Sequence, residues 1–219
     1  MSTRNTLFFR TSLSAIAAVL SLQTFAGTVT AQSAVPAGSI RFVTAPDSSS
    51  NQARYRVREQ LANVDFPNDA IGKTSRVEGQ IVFDANGTVL KEHSKFTVNV
   101  AALASDRDRR DNFIRRNVLQ TEQFPNVTFV PVAVTGLKFP LPDSADVAFR
   151  MTGDLTVRDQ TRLVTWNVMA KIKQGVVTGW ATTMFTFAEM AMTKPRVQSV
   201  LTVSDEIKLE LDFKLLPQK

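Results

Sequence analysis

The sequence contains no cysteine, which removes disulfides, thiolate zinc sites, iron–sulfur clusters and cysteine nucleophiles at a stroke. Histidine occurs once, as His93, so a metal site or a catalytic triad would have to be assembled almost entirely from other residue types. Glycine and proline, nine of each in 219 residues, are too sparse for a collagen-like or low-complexity chain. No acidic residue precedes Asp47, and the whole chain carries a formal net charge of +6. What is present, 43% hydrophobic and 21% charged residues, is the composition of a globular protein with one domain, or two small ones at most.

The acid-free N-terminus has the order of a secretory signal. Arg4 and Arg10 supply the basic part, Leu13 to Leu22 the apolar part, and Val29-Thr30-Ala31 a small-residue cleavage site before Gln32. Ser14, Ser21, Gln23 and Thr24 interrupt the apolar run, whereas a spanning helix needs about 20 mainly apolar residues. Residues 1–31 are therefore expected to be a cleaved signal peptide that sends the protein to the periplasm or outside the cell. Without cysteine there is no lipoprotein attachment site. Residues 32–52, rich in Ser, Ala, Pro and Gln, read as a flexible leader, with a first short strand around Ser39–Val43.

From Ala53 onward the dominant signal is alternation with period two, the mark of strands with one buried face. Tyr55, Val57 and Leu61 alternate with Arg54, Arg56, Arg58 and Gln60, with Glu59 out of place on the apolar side. Val77, Gly79, Ile81 and Phe83 form the next such set, followed by an Asn86-Gly87 turn. A strand over about Leu90–Val100 sets Phe96, Val98 and Val100 against His93, Lys95, Thr97 and Asn99. Further strands begin at Val127, span Asp146–Val157, include Val164 to Val168, and run from Val176 to Phe187. The clearest alternation is the last, with Ile207, Leu209, Leu211 and Phe213 against Lys208, Glu210, Asp212 and Lys214. Only Ala101–Leu119 reads as helical, with Ser105 or Asp106 as its N-cap. About eight antiparallel strands and one helix imply an all-β barrel or sandwich, and a closed sheet removes exposed strand edges. Periodicity does not choose between the two.

Several segments together resemble the YceI-like family of exported bacterial proteins. They are Phe96-Thr97-Val98-Asn99-Val100, Arg110-Asp111-Asn112-Phe113-Ile114-Arg115 and Phe124-Pro125-Asn126-Val127-Thr128-Phe129. They continue with Gly153-Asp154-Leu155-Thr156-Val157 and Thr161, Phe185-Thr186-Phe187-Ala188-Glu189, and the tail Val203-Ser204-Asp205-Glu206-Ile207-Lys208-Leu209. The resemblance implies a lipocalin-like, eight-stranded antiparallel β-barrel with one short helix, spanning residues 53–216. It also implies a long polyprenoid, such as an isoprenoid quinone or prenyl phosphate, held in the apolar interior. Two positions depart from the family pattern: Met190-Ala191 stands for an aromatic-Gly pair, and Phe113 for a histidine.

The aromatic residues of inward parity, Phe83, Phe96, Phe129, Phe149, Trp166, Phe185 and Phe187, are the candidates for an apolar pocket or, equally, for core filling. Gly79, Gly153 and Gly179 either make room for a ligand or relieve bends. The run Arg107 to Arg116 reads as a solvated helix face with mixed signs. Its alternative role is a cationic rim, through Arg110 and Arg115, for a phosphate headgroup or anionic lipid. The pI of 9.9 invites nucleic acid, but acids are interleaved with the bases and no binding motif appears. His93 has surface parity. Glu78 and Asp154 are not placed to face each other as a hydrolase would require, so no catalytic residue, metal ligand or cofactor is expected. The expected function is a non-enzymatic carrier of an isoprenoid or other amphipathic lipid, with transient membrane contact, as a monomer or homodimer. The alternative is a stress-response or structural interaction module with a filled core.

Overall fold

A computed structural model describes residues 35–218; the expected signal peptide, 1–31, lies outside the described residues. The strands are β1 (Ile40–Thr44), β2 (Gln52–Leu61), β3 (Asn68–Thr74), β4 (Val77–Phe83), β5 (Lys95–Asn99), β6 (Asn126–Thr135), β7 (Ser144–Val157), β8 (Gln160–Lys173), β9 (Val176–Thr186), β10 (Val200–Val203) and β11 (Glu206–Gln218). Hydrogen bonding runs β1-β4-β5-β6-β7-β8-β9-β11, and β11 returns to β1 through pairs such as Leu215 with Thr44. The result is a closed, all-antiparallel barrel of eight strand paths. Three of those paths are bent: β2 continues β1, β3 leads into β4, and β10 leads into β11.

The bend between β1 and β2 is pinned by Asn51. Its buried amide nitrogen donates to the Ala45 carbonyl (3.0 Å) and its amide oxygen accepts from the Lys214 N–H (3.0 Å). The short strand expected around Ser39–Val43 is present as β1, and it is the strand that closes the ring. Its Phe42 is buried and pairs with Ile81.

The alternation read in β7, β8, β9 and β11 places Leu155, Val157, Trp166, Val168, Ala170, Ile172, Ala181, Phe185 and Ile207 in the core. The expected strand from Leu90 is shorter. Ser94 Oγ accepts the Val82 N–H (2.9 Å), taking a β4 donor that a strand would have paired, and Lys91–His93 turns as a 3-10 helix before β5 begins. The strand β3 was not foreseen, since its inward positions are only Ala70, Gly72 and Thr74.

The helical segment is also shorter than 101–119. Val100–Ala102 forms a 3-10 turn, α1 spans Asp108–Phe113, and a π-turn continues over Ile114–Val118. The expected cap works in reverse: the buried Asp111 carboxylate accepts from the Ser105 backbone N–H (2.9 Å) and hydroxyl (2.6 Å), while Arg107 occupies the cap position. A bulge in β6, between Pro131 and Ala133, accommodates a proline that has no N–H to donate.

Candidate ligand-binding site

The barrel encloses a cavity of about 740 Å³, within the range of about 300–1,000 Å³ typical of ligand sites. Its wall is overwhelmingly apolar. The interior is therefore hollow, and the filled-core alternative does not describe it. Inward residues such as Phe96, Phe149, Leu211 and Phe213 are only half-buried because one side of each faces the void.

The two ends differ. At the first, Phe83 packs against Phe42 (ring centroids 6.5 Å) and Phe139 (5.0 Å), while Leu137 and Leu141 of the β6–β7 loop close the floor. At the other end, the exposed wall residues are Arg107, Asp108 and Arg109 at the start of α1, and Val197 and Ser199 before β10. This end is the mouth. The β7–β8 turn braces it, since the Arg158 guanidinium donates to the carbonyls of Val118 (3.3 Å) and Ala191 (3.0 Å) and ties the π-turn to the 187–192 segment.

Every aromatic singled out by parity, Phe83, Phe96, Phe129, Phe149, Trp166, Phe185 and Phe187, lies on the cavity wall. The glycines do not. A Cβ on Gly153 would stand 2.7 Å from Phe129 Cζ, and one on Gly79 would stand 2.7 Å from Phe96 Cδ1. Gly179 faces the backbone of Met169 and Ala170. These glycines are seats for cross-strand neighbours, and the first two set the pose of two wall aromatics.

The misplaced Glu59 proves informative. Its carboxylate, 8% exposed, receives the Arg110 guanidinium, 12% exposed, at 2.7 Å beneath the mouth. Arg110 also pairs with Asp106 one helical turn earlier. Burial works against the Arg110 charge, but the Glu59 and Asp106 carboxylates outweigh it and raise its pKa. Arg110 is thus on the wall, as the rim reading required, but its charge is already matched. Arg115 is off the wall, a correction to that reading: it donates to the Leu103 carbonyl (3.0 Å) and Asn112 (2.9 Å) and fastens the helix.

Among the described residues, two donors on the wall have no partner. The indole Nε1 of Trp166, a residue 9% exposed, finds no acceptor, and neither does the Tyr55 hydroxyl. Burial, the largest influence, pushes the Tyr55 phenol pKa well up, so it stays a neutral donor. Tyr55 was legible only as an apolar strand residue; its unpartnered hydroxyl required the structure.

Glu78 pairs with Thr97 across β4 and β5 on the exposed face, and Asp154 is held by Lys91 (2.9 Å). Neither lies on the cavity wall. Among the described residues no group of His, Asp and Glu is arranged to hold a metal ion, and no helix is long and apolar enough to cross a membrane.

A closed up-and-down barrel around a deep apolar cavity defines a lipocalin-like β-barrel with one short helix at its mouth. The chain belongs to the YceI-like family, whose profile matches residues 45–215. Solved structures with this fold include BcnA of Burkholderia cenocepacia, 16% identical, with a TM-score of 0.56 over 77% of this chain and 98% of that one. A Saccharophagus degradans domain described as polyisoprenoid-binding and implicated in plant cell wall breakdown is 9% identical, with a TM-score of 0.61 over 81% of this chain and 98% of its own. The Campylobacter jejuni YceI protein is 19% identical, with a TM-score of 0.50 over 73% and 88%. No curated protein matches the sequence.

Proposed function

We propose that this protein is an exported, non-catalytic carrier that encloses the chain of an isoprenoid or similar amphipathic lipid in its barrel. The observation that carries this reading is the hollow apolar interior, open at the end where α1 begins. Each buried methylene is worth about 0.8 kcal/mol, so an isoprenoid chain binds such a wall without a dedicated recognition residue. Membership of the YceI-like family supports it, as does the polyisoprenoid binding ascribed to the S. degradans domain.

The polar chemistry of the wall narrows the headgroup. Arg110 is neutralised by Glu59 and Asp106, which gives a free pyrophosphate little to gain there. Trp166 Nε1 and the Tyr55 hydroxyl each lack an acceptor, an omission that costs about 1–3 kcal/mol per buried group. A ligand with a neutral oxygen acceptor, such as a carbonyl, relieves that cost. Export rests on the signal-like residues 1–31, and sequencing the envelope form should give Gln32 as its first residue. A long-chain prenyl ketone should raise Tm in proportion to the logarithm of its concentration, more than the equal-length prenyl pyrophosphate. A Tm indifferent to both would overturn the carrier reading.

A further inference from the structure

The rim of the mouth carries an arrangement that the enclosed cavity does not need. The β2–β3 tip, residues 62–67, projects there. It is tied to the segment before β10 by the Ala62 N–H donating to the Ser199 carbonyl (3.1 Å) and by the pairing of Leu61 with Val200. Phe66 on this tip is 78% exposed, and Val64 beside it is also exposed. In β10 the register shifts between Val200 and Thr202, and the bulged Leu201 turns outward, 64% exposed. Val197 completes the set: it is exposed and also lies on the cavity wall. Val197, Val200 and Leu61 all line the cavity, so its apolar wall reaches the outer surface at Val197.

Charge on the segment that carries the apolar side chains before and within β10 is of one sign. Lys194 and Arg196 flank Pro195 on the segment before β10, and Arg109 stands at the start of α1. All three are exposed, and none makes an ion pair among the described residues. Acids of the same end, Asp65, Asp108, Asp159 and Glu189, are likewise exposed and outside any ion pair among the described residues, but the stretch from Met190 to Val203, which carries Val197 and Leu201, has Lys194 and Arg196 and no acid. Exposed aromatic and aliphatic side chains backed by free cations match the interface of an anionic bilayer. A soluble partner protein would not need the apolar surface to continue into the cavity, whereas a lipid leaving a bilayer would otherwise have to cross water.

We propose that the mouth rim, with Phe66, Val64, Val197 and Leu201 as its apolar wedge and Arg109, Lys194 and Arg196 as its cations, docks on an anionic lipid surface so that lipid passes directly between bilayer and barrel. The proposal rests on the carrier reading for the purpose of docking, but not for docking itself.

The test is co-sedimentation of the purified protein with vesicles of phosphatidylcholine alone or with phosphatidylglycerol. Wild type, Phe66→Ser/Leu201→Ser, Lys194→Ala/Arg196→Ala and Met184→Ser are compared on the same chain. Met184 is exposed on the outer wall of β9, outside the proposed wedge and its cations, and serves as the control. The expected result is binding to the anionic vesicles that falls about tenfold in the apolar pair, in keeping with the loss of two buried apolar side chains. It should fall with added salt and in the Lys/Arg pair, and be unchanged in Met184→Ser. Tm should be the same in all four, since every substituted side chain is exposed.

Absence of wild-type binding, or equal binding by wild type and the Phe66/Leu201 pair, would overturn the proposal. So would a concentration-dependent self-association abolished in that pair without vesicle binding. Lipid content by native mass spectrometry separates the two readings. An empty protein that still docks through Phe66 and Leu201 sinks the carrier and keeps the docking surface; a lipid-filled protein indifferent to vesicles does the opposite.

Discussion

The two ends of the barrel are built from the same alternating strands, yet they solve opposite problems. The closed end fills its space with carbon: Phe42, Phe83 and Phe139 interlock, and Leu137 and Leu141 seal the floor. The mouth is held by polar bonds around a gap, through Glu59–Arg110, Ser105–Asp111 and the Arg158 brace. Between them the wall faces a void, and its residues gain less from folding than fully enclosed ones. Stability is concentrated at one end and access at the other.

The largest expected effect separates closed end from mid-wall. Phe83→Ala should cost about 3–5 kcal/mol, because it opens a cavity in a packed cluster. Phe149→Ala, whose ring already borders a void, should cost about 1–2 kcal/mol while weakening lipid retention. Urea unfolding of both variants without ligand makes the measurement, and equal costs would mean that the two regions are packed alike.

Next comes the mouth. Arg110→Ala leaves Glu59 buried without its partner and should cost about 3 kcal/mol. The double variant Glu59→Gln/Arg110→Met should recover most of that loss in the same assay. If the single and double variants are equally destabilised, the ion pair is not what holds α1 over the barrel.

A smaller effect probes the wall's unpaired donor. Trp166→Phe removes Nε1 while keeping an aromatic ring, so the empty protein should keep its stability within about 1 kcal/mol. Affinity for a carbonyl-bearing prenyl lipid should fall about tenfold, with no change for a plain hydrocarbon chain, as titration calorimetry of both proteins would show.

The smallest concerns the outer face, where Arg54, Arg56, Arg58 and Lys208 pair with Asp69, Glu210 and Asp212 across β2, β3 and β11. Arginine hydrogen bonds hold the Asp69 pKa below its ordinary value. Glu210 is likewise lowered: burial pushes it up, but Lys208 and Arg56 prevail. A carboxylate with a depressed folded pKa stabilises the fold above its unfolded value, near pH 4, and that contribution vanishes as pH falls through the folded value. The unfolding free energy should therefore drop below about pH 4, by less than about 1 kcal/mol per pair, and Asp69→Asn should blunt the drop.

The barrel itself was legible because a one-sided strand must alternate, as β7, β8 and β11 do over long runs. The short β3 was not, because Ala70 and Gly72 bury little side chain, and Gly72 serves mainly to seat the Tyr55 ring. Wall aromatics could be named from parity, but parity cannot tell a wall from a core, and only the void distinguishes them. Glu59 was visible as an acid on an apolar face, an anomaly that pointed to a buried partner without saying which. Pairing it with Arg110 joins residues 51 positions apart, a distance that no local pattern spans. The exposed Phe66 and Leu201 left no trace in the alternation, since a turn and a bulge set their direction.

The central claim is that the barrel interior holds a lipid. The most direct test is native mass spectrometry of the protein taken from its native source without detergent, followed by solvent extraction. A stoichiometric adduct that extracts as an isoprenoid or related amphipathic lipid is the predicted result. An empty protein that also takes up no added isoprenoid would contradict the account.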